Sequence, residues 1–132
     1  MTDDASQVVL VVEDEILIRM VIAEYLRSCG YRVIEAASAD EALIILQHKE
    51  LEVDVVFSDI EMPGSMDGFQ LSKWLRANRP NVDVLLAGTV ARAADAAADL
   101  CDSGPVPKPY EPRIPAERVR QLLALRSARK KR

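Results

Sequence analysis

Residues 8–14 read Val8-Val9-Leu10-Val11-Val12-Glu13-Asp14, an apolar run that ends in two acidic side chains. The run has no polar face, which is typical of a strand buried on both sides of a parallel sheet, and it is too short for an average helix. In open α/β sheets, ligands bind beyond the carboxyl ends of the strands. The segment therefore predicts a central strand whose acidic pair lies at the ligand-binding edge of the sheet.

Similar apolar runs alternate with stretches of helical period along the rest of the chain. Helix boundaries are indicated by Gly30 after one stretch, by Ser38 or Asp40 before the next, and by Pro115 before the last. The predicted strands are 8–12, 31–35, 53–57, 82–87 and a short one at Val106. This pattern predicts an α/β fold with a doubly wound (βα)5 parallel five-stranded sheet, in the flavodoxin-like order 2-1-3-4-5, with helices on both faces.

Two further expectations concern the fourth helix and the cysteines. Residues 91–100 are rich in alanine and offer little to anchor a helix, so the fourth helix is predicted to be the least firmly packed. Cys29 and Cys101 stand far apart, without a CxxC pair or a histidine cluster, which suggests neither a zinc site nor a disulfide framework. The sequence therefore predicts reduced, partly buried thiols at both positions.

Length and charge limit the classes of function. The 132 residues suit one domain, predicted at 7–126 between a flexible N-terminus, 1–6, and a basic tail, 127–132. The net charge is −4 even though the last four residues are all basic, so the folded body is acidic and does not favour nucleic-acid binding. The start lacks a basic segment before an apolar one, and the run 8–12 is too short to span a bilayer. A cytoplasmic protein without membrane attachment is predicted.

Acidic side chains follow two of the predicted strands. Glu13 and Asp14 come directly after the first strand, and Asp59 follows the third. Three carboxylates at one edge repel each other and need a cation, and an all-oxygen set favours a hard ion such as Mg²⁺. Lys108, at the end of the fifth strand, can neutralise an anion at the same place. Asp59 can then act as a nucleophile on phosphorus, so the predicted product is an aspartyl phosphate.

Several short motifs together resemble one known family, the receiver domains of two-component response regulators. The resemblance covers almost the whole chain. It rests on the order and placement of Glu13-Asp14, Asp59, Met62-Pro63, Met66-Asp67-Gly68 and Lys108-Pro109-Tyr110. It implies that Asp59 is the phosphoacceptor and that Lys108 pairs with the phosphoryl group. It further implies that Asp14 binds Mg²⁺, that Glu13 does so directly or through water, and that the backbone carbonyl of Glu61 is another ligand.

Two positions that transmit phosphorylation depart from the family pattern. Receivers usually have Ser or Thr at the end of the fourth strand, where this chain has Gly88, with Thr89 one residue later. Either a shifted Thr89 hydroxyl or a backbone N–H of Gly88 or Thr89 is then expected to donate to the phosphoryl group. Pro105 replaces the aromatic residue that many receivers carry three positions before the lysine. The loop 63–68 is also one residue longer than the commonest form. Phosphate chemistry is therefore predicted to be retained and its transmission altered.

The resemblance implies a stand-alone, single-domain response regulator that acts in two-component signal transduction. Its phosphodonor is expected to be a histidine kinase or a phosphotransfer protein, and its output is expected to be binding to an unidentified protein. The fourth helix, fifth strand and fifth helix are the expected reporting surface. A monomer or weak homodimer is predicted, with no enzymatic activity beyond Mg²⁺-dependent self-phosphorylation and autodephosphorylation.

Three other functions fit the sequence. The altered Gly88 and Pro105 suit a phosphorylation-independent interaction module with a receiver fold. A phosphate sink would drain a kinase and have no output partner. A hydrolase of the haloacid dehalogenase type would use Asp59 as nucleophile and Glu61, two residues later, as the second acid. The chain offers no cap domain or substrate-binding insert for the last of these.

Overall fold

Four parallel strands form one sheet in the order β2-β1-β3-β4. The computed structural model describes residues 7–48, 50–60, 62, 64–102 and 114–122. The strands are β1 (Val8–Val12), β2 (Arg32–Ala36), β3 (Val55–Asp59) and β4 (Asp83–Ala87). The predicted order is therefore confirmed for these four strands, and the strand predicted at Val106 lies outside the described residues.

Helices connect the strands and cover both faces of the sheet. They are α1 (Ile16–Ser28), α2 (Ala39–Leu46), α3 (Gly68–Asn78) and α4 (Val90–Asp102). Residues 116–122 are also helical, and the backbone N–H groups of Arg118 and Val119 donate to the carbonyl oxygen of Pro115. Pro115 therefore begins this helix, as predicted. No helix among the described residues is long and apolar enough to cross a bilayer.

The central strand β1 separates two hydrophobic cores. All five of its side chains are buried, and they point alternately to the two faces. Val9 and Val11 pack in one core with residues of α1 and α4, whereas Val8, Leu10 and Val12 pack in the other with residues of α2 and α3. The continuous apolar run that predicted a doubly covered strand is thus explained by helices on each side.

Three strands begin later than the sequence predicts, β2 and β4 by one residue and β3 by two. Tyr31 precedes β2 because its N–H donates to the carbonyl oxygen of Leu26, which closes the end of α1 together with Gly30 at φ 100°. Val53 precedes β3, and the next residue, Asp54, accepts a hydrogen bond from the N–H of Val8 at 2.8 Å. The segments before β2 and β3 therefore form connections between elements. The pattern of apolar residues does not distinguish such connections from the strands themselves.

That α4 is the least firmly packed helix stays a prediction, although part of this helix is buried in the core. Its Ala93, Ala94 and Ala97 are buried against the α1 side of the sheet, since small side chains let the helix approach closely. The prediction of reduced thiols, in contrast, is wrong. Cys29 and Cys101 form a disulfide, with their Cα atoms 5.3 Å apart across a sequence separation of 72 residues. The two cysteines meet because α4 packs beside α1, and no local pattern in the sequence signals that pairing.

Candidate functional site

Three carboxylates meet at the carboxyl ends of two neighbouring strands. Glu13 and Asp14 follow β1, and Asp59 ends β3, which pairs with β1 in parallel. One carboxylate oxygen from each residue lies within 4.8 Å of the others. Glu13 is buried, Asp59 is half-buried and Asp14 is exposed, so the cluster opens toward solvent from a buried base. The sequence thus predicted a cluster that the fold brings together.

Glu13 is fixed by its backbone and by its side chain. Its N–H donates to the carbonyl oxygen of Ala36 at 3.0 Å, and its carboxylate accepts from the N–H of Glu15 at 3.0 Å. Its own carbonyl oxygen accepts from the guanidinium of Arg19 at 2.9 Å. The first acidic residue after β1 is therefore held by hydrogen bonds on three sides.

Arg19 links this turn to the neighbouring strand. Its side chain is only 15% exposed, and its Nε lies 3.3 Å from a carboxylate oxygen of Glu35 in β2. Arg27 pairs with the other oxygen of Glu35 at 3.2 Å, but its side chain is 45% exposed. Of these two arginines, Arg19 is the one that donates to Glu13. The sequence did not predict the role of Arg19, because its contacts with Glu13 and Glu35 form only when α1 packs beside β2.

The backbone of Asp59 packs against the start of α3. The N–H of Gly68 donates to the carbonyl oxygen of Ile60 at 2.8 Å. A Cβ atom on Gly68 would overlap the carbonyl oxygen of Asp59 and lie 2.9 Å from the Cα of Ile60. Asp67 and Gln70 form a reciprocal capping box that begins α3 at this point. A glycine is therefore required for α3 to start so close to the acidic cluster.

The connection between β3 and α3 is attached to α2. The carboxylate of Asp40 accepts from the hydroxyl of Ser65 at 2.5 Å and from the N–H of Ser65 at 3.2 Å. Gly64 has φ 113°, and a Cβ there would come 2.8 Å from the same carboxylate. Asp40 was one of two predicted caps for α2, and the cap is Ser38 instead, which accepts from the N–H of Glu41.

The altered switch positions lie between β4 and α4. Ala87 pairs with Asp59 across the two strands, and the N–H of Ile60 donates to the carbonyl oxygen of Ala87 at 3.3 Å. Gly88 and Thr89 follow directly and are exposed. The hydroxyl oxygen of Thr89 accepts from the N–H of Arg92 at 3.1 Å and so caps the start of α4. Lys108, Pro105 and Glu61 lie outside the described residues.

The comparison with known proteins identifies the family. The family model described as response regulator receiver domain matches residues 9–119. This chain belongs to that family. Over 120 residues it is 40% identical to the sensor kinase CckA of Brucella abortus. The aligned segment covers 89% of this chain and 13% of the kinase. Because the receiver spans so little of that relative, the similarity concerns the receiver alone.

Solved structures agree with the family assignment. The response regulator TrrA of Thermotoga maritima, in complex with Mg²⁺ and BeF, aligns with a TM-score of 0.57 and 30% identity over 74% of this chain and 79% of its own. A receiver domain protein from Clostridium thermocellum aligns with a TM-score of 0.58 and 25% identity over 95% of this chain and 97% of its own. The fold of this chain is therefore the flavodoxin-like fold of response-regulator receivers.

Proposed function

We propose that this receiver accepts a phosphoryl group on Asp59 from a histidine kinase or phosphotransfer protein and then acts by binding another protein. The observation that carries the proposal is the approach of Glu13, Asp14 and Asp59 to within 4.8 Å of one another at the carboxyl edge of the sheet. Receiver domains are in general phosphoacceptors rather than metabolic catalysts. The geometry of the cluster suits that role, since it presents a half-buried carboxylate at an open edge.

The donor set of the cluster fits Mg²⁺. Carboxylate oxygens are hard ligands, and three of them this close repel each other strongly unless a cation offsets the charge. Glu13, Asp14 and Asp59 are proposed to hold the ion, together with the backbone carbonyl of Glu61. When bound, Mg²⁺ supplies positive charge that offsets the charge of the phosphoryl oxygens. Its binding to TrrA is a property of that relative and supports the proposal by similarity.

Asp59 is the proposed nucleophile. One of its carboxylate oxygens attacks the phosphorus of the donor, a P–O bond forms, and the bond from phosphorus to the donor breaks with its electrons leaving on the donor. The product is an aspartyl phosphate, which adds roughly one to two negative charges at this edge. Lys108 is proposed to pair with the new phosphoryl oxygens. Attack of water on the phosphorus, with the Asp59 carboxylate as the leaving group, accounts for autodephosphorylation.

Transmission is proposed to begin at Gly88 and Thr89. Ala87 is directly paired with Asp59, so the next two residues lie beside the proposed phosphorylation position. The Thr89 hydroxyl already accepts from Arg92 but still has a proton to donate. Donation to a phosphoryl oxygen by this hydroxyl, or by the N–H of Gly88 or Thr89, would displace the start of α4. The receiver would act in this way in the cytoplasm, as a monomer or weak homodimer, without nucleic acid or membrane as ligand.

The test is intact mass after incubation with acetyl phosphate and Mg²⁺, or with beryllofluoride and Mg²⁺ under native conditions. We expect one adduct on the wild type, none on Asp59→Asn, and none when the metal is chelated. Asp83→Asn is the matched control because Asp83 is an exposed aspartate at the opposite end of a strand. An adduct on Asp59→Asn, or no adduct on the wild type at any Mg²⁺ concentration, would refute phosphorylation at Asp59.

One observation favours a second function. Thr89 is engaged as the cap of α4, and Gly88 has no hydroxyl, so the usual hydroxyl switch is altered. A receiver whose surface does not respond to phosphorylation would be a phosphorylation-independent interaction module. Backbone amide chemical shifts at the acidic cluster and across 87–102, measured with and without beryllofluoride, separate the two functions. Shifts confined to the acidic cluster would support the interaction module, and shifts that extend along α4 would support the phosphorylation switch.

A further inference from the structure

The disulfide joins the ends of two helices at the amino-terminal end of the sheet. Cys29 is the C-terminal cap of α1, and Cys101 lies in the last turn of α4. A second contact lies beside it, where the hydroxyl of Tyr31 donates to the carbonyl oxygen of Leu100 at 2.5 Å. The C-terminal end of α4 is therefore attached both covalently and by a hydrogen bond to the segment that leads into β2.

The rest of α4 packs against the core mainly through small side chains, and its Asp95 pairs with Arg120 at 3.2 Å. Among the side chains of α4 that the structure describes, the buried ones are Ala93, Ala94, Ala97 and Cys101. Each alanine buries a single methyl group, so this helix gains less from apolar burial than α1, which buries Ile18, Ile22 and Leu26. Among the described contacts, the disulfide is the covalent link that holds α4 beside α1.

From this placement we propose that Cys29 and Cys101 form a redox site at which a dithiol reductant releases the C-terminal end of α4. A disulfide in a reducing compartment is usually transient or regulatory, which suits a bond at the end of a weakly packed helix. Reduction would leave both cysteines as thiols, and α4 would then be held by the Tyr31 hydrogen bond, the ion pair of Asp95 with Arg120, and the core packing of its alanines and Leu100. The helix would then open locally far more often than in the oxidised protein.

The dithiol reductant supplies the electrons and protons that this thiol–disulfide exchange needs. A thiolate of the dithiol attacks the sulfur of Cys101, which is 8% exposed against 1% for Cys29. The S–S bond breaks, Cys29 leaves as a thiolate and takes up a proton, and Cys101 is held in a mixed disulfide. The second thiol of the reductant then attacks the reductant's own sulfur in the mixed disulfide, which forms the reductant's internal disulfide and releases Cys101 as a thiol. Two electrons and two protons pass from the dithiol to the cysteines.

The redox site lies at the opposite end of α4 from the proposed phosphorylation position. Thr89 caps the start of the helix two residues after Ala87, which pairs with Asp59. The disulfide fixes the far end, so its redox state determines how much of α4 can follow a displacement at Thr89. This consequence and the reducing compartment rest on the proposed function, whereas the disulfide and its place at the end of α4 do not.

The experiment compares the full chain in oxidised and dithiothreitol-reduced buffers. Maleimide labelling under denaturing conditions and intact mass count the free thiols, and amide hydrogen exchange reports on 93–102. We expect no label on the oxidised chain and two labels after reduction, with at least about tenfold faster exchange in α4. Exchange in β1 should stay the same. Two free thiols in the chain equilibrated with oxidised glutathione, or equal α4 exchange in both buffers, would overturn the proposal.

Two variants separate this proposal from the proposed function. The double variant Cys29→Ser with Cys101→Ser should show fast α4 exchange in both buffers, and the reduced wild type gives the same information should that variant not fold. Asp59→Asn cannot be phosphorylated and should keep the full redox response. If the wild type formed no phosphoryl adduct but kept its redox response, the proposed function would be refuted and the redox site would not.

Discussion

The two ends of the sheet are stabilised in different ways. At the carboxyl end, short polar contacts and close backbone packing surround the acidic cluster, as at Arg19, Gly68 and Thr89. At the amino end, the Cys29–Cys101 disulfide and the Tyr31 hydrogen bond join α1, β2 and α4. Hydrogen bonds rearrange at little cost, whereas a covalent bond does not. The side chains at the carboxyl end can therefore adjust at any time, whereas the amino end stays fixed until a reductant breaks the disulfide.

The largest effect should come from Gly68→Ala at the carboxyl end. The added methyl group would meet the backbone of Asp59 and Ile60, and backbone cannot move aside as a flexible side chain can. We expect a loss of about 1–3 kcal/mol in the free energy of unfolding and a weaker beryllofluoride adduct. Urea unfolding and native mass spectrometry measure the two quantities.

Gly88→Ala is the matched control for that substitution. A Cβ on Gly88 would lie 3.4 Å from the Cδ1 of Ile60, which is close to ordinary van der Waals contact with a side chain that can adjust. We expect a change within about 0.5 kcal/mol, as for most substitutions at exposed positions. If the two alanine variants lost the same stability, close backbone packing at Gly68 would not be what stabilises the carboxyl end of the sheet.

A smaller effect should follow Arg19→Gln, compared with Arg27→Gln. Both changes remove an ion pair with Glu35, but only the first removes the hydrogen bond to the carbonyl oxygen of Glu13. We expect Arg19→Gln to weaken Mg²⁺ binding about tenfold, because partners that orient metal-binding groups typically contribute that much. Titration calorimetry with Mg²⁺ measures the difference.

Arg27→Gln should leave Mg²⁺ affinity unchanged and cost at most about 1 kcal/mol of stability, since its side chain is 45% exposed and exposed pairs contribute little. Equal losses of Mg²⁺ affinity in both variants would mean that the charge of Glu35, and not the position of Glu13, controls the site.

The smallest effect should come from Tyr31→Phe at the amino end. Loss of its hydrogen bond to Leu100 should cost about 1 kcal/mol. Burial raises the pKa of the Tyr31 hydroxyl above its ordinary value of 10.0. The folded protein therefore binds this proton more tightly than the unfolded chain, and the stability that it contributes is lost as the pH rises from about 10 through the raised pKa.

As the pH is raised from neutral to strongly alkaline, the free energy of unfolding should fall less for the phenylalanine variant than for the wild type. Urea unfolding at the two pH values measures this difference. Its adduct formation at neutral pH should match the wild type, because Tyr31 lies at the end of the sheet away from Asp59. A Tyr31→Phe variant with impaired adduct formation would contradict the separation between the two ends.

The sequence predicted the parts of the molecule that depend on local pattern and on topology. The apolar run 8–12 predicted a central strand, and the order of the strands brought Glu13, Asp14 and Asp59 together. Those predictions succeeded because strand periodicity is local and parallel topology fixes which strand ends meet.

Other features depend on contacts between distant segments. The Cys29–Cys101 bond spans 72 residues and forms because α4 packs beside α1, a choice of face that the alanine-rich stretch does not encode in its periodicity. The link from Asp40 to Ser65 likewise joins residues with no shared motif. Thr89 was noted as a displaced switch residue, but its role as the cap of α4 requires knowing where the helix begins.

The link between α2 and the connection before α3 has a consequence for how this sequence can drift over generations. Asp40, Gly64 and Ser65 depend on one another, because the carboxylate binds the serine twice and leaves no room for a side chain on the glycine. A lineage that loses one of the three gains little by keeping the others. In a family tree of close relatives, these three positions should therefore be inherited as a set and exchanged together, along with the length of the segment that joins them.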